Sequence, residues 1–96
     1  MSFTSVHNAT PSTQVNASAT SVQLFASRPG VQSRSVRNDS TSVNLAITYG
    51  PTATFANAKV VLAAGDYYEF PQPVYDGIVS AIWVSATGFC NASEEW

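Results

Sequence analysis

The chain has 96 residues, 10% of them charged, 45% hydrophobic, and a formal net charge of −2. An ordinary soluble domain carries about 25% charged residues; here 13 Ser and 9 Thr take the vacated places. That size holds one domain. The normal apolar share argues against disorder, and the longest apolar run, residues 60–64, is too short to span a membrane.

Other function classes drop out as well. Met1-Ser2-Phe3-Thr4 has no basic stretch leading into an apolar one, so no signal peptide is expected. One cysteine, Cys90, cannot make an internal disulfide, and with one histidine, His7, it makes a poor zinc site. Four scattered bases give no stripe for nucleic acid. No cofactor is expected.

Residues 1–14 are weakly patterned and read as an extended or flexible N-terminal arm, leaving 15–96 as one β domain. Val15, Ala17 and Ala19 alternate with polar residues, the period of a half-buried strand. Residues 22–25 form a second short strand, ended by the turn pair Pro29-Gly30. Residues 31–37 follow, closed by Asn38-Asp39-Ser40, whose side chains favour turns. Val43, Leu45, Ile47 and Tyr49 give the cleanest alternation and stop at Gly50-Pro51. Residues 54–62 read as a longer strand with Ala56, Ala58, Val60 and Leu62 on one face. Gly65-Asp66 turns into residues 67–70, which Pro71 and Pro73 end, because proline cannot donate to a ladder. Residues 78–84 are apolar on both faces, so this strand is central or covered by another layer. Thr87-Gly88 leads into the last strand, residues 89–94. Seven or eight short strands without an amphipathic helix predict an all-β antiparallel sandwich or jelly-roll-like fold.

The charges are segregated. Residues 1–64 hold Arg28, Arg34, Arg37 and Lys59 against Asp39; residues 65–96 hold five acids and no base. The two sets can meet within one fold when strands pair. Alternatively they meet across copies of the chain or on a larger partner, with Arg34, Arg37, Glu94 and Glu95 among the candidate interface residues. The acids sit at turns and ends, and His7 lies in the arm, so no acid–base pair or activated nucleophile is expected and the chain reads as a non-enzyme. Four Asn-x-Ser/Thr sequons are taken as coincidence in so Ser/Thr-rich a chain. Cys90 reads as a small apolar filler.

Seven of the eleven aromatics lie in residues 67–96. Phe70, Trp83 and Phe89 are expected in the core. A sandwich this small cannot easily bury the rest, so Tyr67, Tyr75 and Trp96 are candidates for an intermolecular surface, where a large ring with a polar tip is favoured.

Several motifs in order carry a resemblance. They are residues 37–41 (RNDST), the alternating 43–49 strand ending in Gly50, residues 59–71 (KVVLAAGDYYEFP), residues 75–83 (YDGIVSAIW), Ala86-Thr87-Gly88 and the acidic end. Over residues 15–96 the chain resembles small all-β virion structural proteins of tailed bacteriophages, with capsid decoration (cement) proteins among similar chains. Cys90 and Ser93-Glu94 depart from the pattern of that family's final strand. The resemblance implies a decoration protein on the capsid surface, made in the host cytoplasm. Its partners would be the major capsid protein and itself, as a homo-oligomer (dimer or trimer). The alternative is a neck, tail or head-fibre component, such as a receptor-binding module whose Tyr67, Tyr75 and Trp96 stack on sugar rings.

Overall fold

The computed structural model describes residues 12–96. Eight strands run through them: β1 (Thr13–Asn16), β2 (Val22–Phe25), β3 (Ser33–Asn38), β4 (Leu45–Tyr49), β5 (Val60–Leu62), β6 (Tyr67–Glu69), β7 (Val79–Trp83) and β8 (Phe89–Glu95). They form two four-stranded sheets, ordered β1-β8-β3-β6 and β2-β7-β4-β5. Every pairing is antiparallel. This is the expected β-sandwich, with no helix among the described residues.

Alternation in the sequence builds the core. Along β3 the buried positions are Arg34, Val36 and Asn38; along β8 they are Cys90, Ala92 and Glu94. The facing sheet contributes Phe25, Leu45, Ile47, Leu62, Val79, Ala81 and Trp83. Each large apolar side chain buried this way is worth about 1.5–3 kcal/mol. Cys90, register partner of Val15 on β1 and Asn38 on β3, sits in this core with no exposed surface. β7 is paired on both edges, to β2 and β4. Its two-faced apolar pattern thus marks a central strand.

A buried amide joins the two sheets. Asn38 Nδ2 donates to the carbonyls of Val43, Leu62 and Ala63 at 2.9, 3.1 and 3.2 Å, and its Oδ1 accepts from the Ser40 N–H at 3.2 Å. The Val43 carbonyl is thereby engaged by a side chain, and β4 starts at Leu45 instead of residue 43.

Other elements differ from expectation. Thr13 and Gln14, assigned to the arm, belong to β1 and pair with Ala92 and Asn91 of β8; residues 1–11 lie outside the described residues. The predicted strand over 54–62 keeps only Val60–Leu62. Thr54 N–H donates to Asn57 Oδ1 at 2.8 Å while Asn57 N–H donates to Thr54 Oγ1 at 3.1 Å. That reciprocal pair offers the backbone an alternative to a ladder, and the segment turns. Phe70 and Trp83 are in the core as expected. Phe89 is only half-buried, because it shares the outer face of β8 with Asn91 and Ser93.

Candidate functional site

The segregated charges meet inside the fold. Arg34 and Glu94 are register partners on β3 and β8. Arg34 Nε donates to Glu94 Oε2 at 3.0 Å. Its other nitrogens donate to the carbonyls of Tyr75 (2.7 Å), Gly77 (2.8 Å) and Ala26 (2.8 Å), and the guanidinium lies 4.9 Å from the centre of the Phe25 ring. Arg28 Nε donates to Glu94 Oε1 at 2.8 Å, and the Arg28 guanidinium lies 3.8 Å above the Trp96 ring. The Arg34–Glu94 pair, out of water, interacts far more strongly than an exposed pair, whereas the Arg28 side chain is 39% exposed and its attraction to Glu94 is screened by solvent.

This arrangement corrects much of the sequence-based interface. Arg34, 1% exposed, and Glu94, 8% exposed, are interior groups of the fold. Trp96 is half-buried under Arg28, so its own chain gives it a packing partner. Tyr75 is half-buried and stacked on Tyr49 with centroids 4.5 Å apart and planes 7° apart. Tyr49 stacks in turn on Phe70 at 5.3 Å and shares a hydrogen bond with the Tyr68 hydroxyl at 3.1 Å. Burial, with that bond, pushes the Tyr49 phenol well above its ordinary range.

Three of the expected residues reach the surface. Tyr67 is 58% exposed. Arg37 is exposed and donates to Asp39 at 2.7 Å; that bond holds the Asp39 carboxyl below its ordinary value. Asn91 also donates to Asp39. Glu95 is partly exposed and accepts from the Ser33 hydroxyl at 3.1 Å.

The two outer faces of the sandwich are unlike. On the β1-β8-β3-β6 sheet the outer positions are mostly polar: Ser33, Ser35 and Arg37 on β3, Asn91 and Ser93 on β8 beside half-buried Phe89, with Tyr67 and Glu69 on β6. On the other sheet Val61, Ala46 and Ile82 stand opposite one another across β5, β4 and β7. Val61 is 46% exposed, and Val84, just past β7, is 61% exposed. The same sheet's neighbouring outer row, Thr48 and Ser80, is occupied by the chain itself. Ser80 Oγ donates to the Gly50 carbonyl at 2.7 Å, and Thr48 Oγ1 donates to Asn57 Oδ1 at 3.0 Å. Beside that loop Val61 is exposed and Ile82 half-buried, while Ala46 between them is fully buried. Reasoning from sequence did not single out this row. Its signal was present in Ile82 and Val84, the second apolar face of a strand whose first face is core.

Chemistry is sparse here. Among the described residues no cluster of three or more His, Cys, Asp or Glu could hold a metal ion. Burial first, and the Asp39 charge second, push the Cys90 thiol up to about 12, so it is protonated and inert near neutral pH. His7 lies outside the described residues.

Comparison with known proteins finds no match. No family model fits the chain, and no curated protein or solved structure matches it significantly.

Proposed function

We propose that this chain is a virion structural protein of a tailed bacteriophage, a capsid decoration (cement) protein that docks on the assembled head and stabilises it. The observation that carries this reading is the exposure of two apolar side chains, Val61 and Val84, together with half-buried Ile82, on the outer face of the β2-β7-β4-β5 sheet. The solvent face of an antiparallel sheet is normally polar, so exposed apolar side chains there suit an interaction site. The motif order described over residues 15–96 supports the same reading.

The mechanism is linkage. A protein that binds the assembled shell and not its free subunits shifts the equilibrium toward the shell. The apolar row meets the major capsid protein, and a low-charge rim limits the cost of removing charges from water. Arg28, Arg34 and Glu94 are already paired within the fold and need not be desolvated on docking.

Two measurements test this. Quantified virion bands should show the chain in hundreds of copies; a copy number suited to one tail or one vertex would overturn the capsid role and favour a neck, tail or head-fibre component. Val61→Glu with Val84→Glu should abolish co-sedimentation with empty heads while the melting temperature stays near that of the parent. Undiminished co-sedimentation would show that a different face docks.

A further inference from the structure

The polar sheet carries a groove on its outer face. Ser33, Ser35 and Ser93 have short side chains, while Tyr67 and Glu69 on the edge strand β6 stand exposed at one side. Glu95 lies at the end near Ser33, whose hydroxyl it accepts. The space enclosed is about 400 Å³, within the range of about 300–1,000 Å³ found for small-molecule sites.

Strand register gives its footprint. Glu69, Ser35 and Ser93 stand directly opposite one another on β6, β3 and β8. Neighbouring strands lie about 4.8 Å apart, so that row spans roughly 10 Å. The Ser12 hydroxyl extends it, sharing a 2.8 Å hydrogen bond with Ser93. Tyr67 lies two residues along β6, roughly 7 Å from Glu69. The floor is therefore long enough for one or two pyranose rings, with an aromatic ring at one side.

The chemistry narrows the occupant. Serine hydroxyls both donate and accept, and carboxylates accept, which suits a ligand dense in hydroxyl groups. The exposed Tyr67 ring offers a flat apolar surface to the C–H face of a sugar, with a phenol tip for a further hydrogen bond. Anionic ligands are disfavoured. The groove is lined by Glu69 and Glu95, and by Arg34 and Glu94, which are buried and paired with each other. The Arg34 guanidinium points inward to Glu94 and three carbonyls, and nearby Arg37 is paired with Asp39.

We propose that this groove is a binding site for an uncharged saccharide, with Tyr67 as its stacking platform and Glu69, Ser35 and Ser93 as its hydrogen-bonding floor. It lies on the sheet face opposite the apolar row, so a docked protein would present it outward. The site stands independently of the docking role.

The test is a backbone-amide NMR titration of the full chain with methyl glucoside, methyl galactoside, methyl mannoside, N-acetylglucosamine, maltose and cellobiose. At least one should shift amides of residues 33–35, 67–69 and 93–95 in a saturable way. Tyr67→Ala should weaken that binding at least about fivefold, Tyr67→Phe should largely keep it, and both variants should melt like the parent. Failure of all six sugars to shift these amides, equal binding by Tyr67→Ala, or preference for a sulfated or sialylated saccharide would overturn the proposal. Co-sedimentation of Tyr67→Ala with heads reports on the docking role separately.

Discussion

Arg34 and Glu94 face each other across β3 and β8, and the guanidinium of Arg34 also closes onto three carbonyls from the segments around Ala26 and Tyr75. One side chain thus ties a β-ladder to two loops. Removing it leaves a buried carboxylate with less compensation and three carbonyls short of a donor. Arg34→Ala should therefore cost about 3–5 kcal/mol, read as a fall in the urea midpoint. Arg34→Met combined with Glu94→Leu should recover part of that loss, because no charge is left stranded. A loss below about 1 kcal/mol for Arg34→Ala would contradict the buried geometry.

Trp96 acts through Arg28. The indole lies under a guanidinium that is already held by Glu94. Trp96→Ala should lower stability by about 0.5–2 kcal/mol. Arg28→Ala should cost a similar amount, and the double variant less than the two added. The sequence alone predicts an intermolecular role for Trp96, under which Trp96→Ala would leave stability nearly unchanged; denaturant midpoints of the three variants distinguish the two.

Gly88 is held by close approach as well as by its dihedral. Its φ is +92°, and a Cβ there would come within 2.7 Å of the Ser40 Cα. Gly65 has φ +83° but open space around it. Gly65→Ala should cost about 1–2 kcal/mol of left-handed strain. Gly88→Ala should cost more, because the β7–β8 turn and the Asn38–Asp39–Ser40 corner must also separate. Equal losses in thermal unfolding would rule out the contact.

Cys90 gives the fold an alkaline limit. Its pKa is raised in the folded state, so the protonated thiol stabilises the fold fully below its ordinary value of 9.0, and that stability is lost as pH rises toward about 12. Unfolding free energy should fall across that range in the parent and fall less in Cys90→Ala. A thiol-specific chromogenic reagent at pH 8 should label the native protein only as fast as it opens and react at once in denaturant. Rapid native labelling would show that the thiol is accessible.

Strand periodicity made the centre of the β2-β7-β4-β5 sheet legible. Residues 43–49 and 78–84 signal β4 and β7 because a core on one side enforces a period of two. Residues 54–59 misled because alternation there is coincidental, and the Thr54–Asn57 exchange, a side-chain effect, decides the backbone. The meeting of basic and acidic halves within one fold was weighed from composition. Which residues met was not legible, since Arg34 and Glu94 are brought together by a pairing of strands 60 positions apart. The aromatic surface shrank to Tyr67 for a similar reason: Tyr75 gains cover from Tyr49, on another strand. The groove and the apolar row follow from registers between distant strands, which no local pattern encodes.

The strand order has a kinetic consequence. Only β4 and β5 are consecutive in the chain and paired; every other ladder joins strands with at least two others between them in the chain. Val15, for example, pairs with Cys90. The polar sheet therefore cannot zip up from a hairpin. β1 must wait for β8, and β3 for β6 or β8, and the loops they close are long and entropically costly before any packing offsets them. Refolding should accordingly fall in the millisecond-to-second range of non-local β topologies, slow for so short a chain.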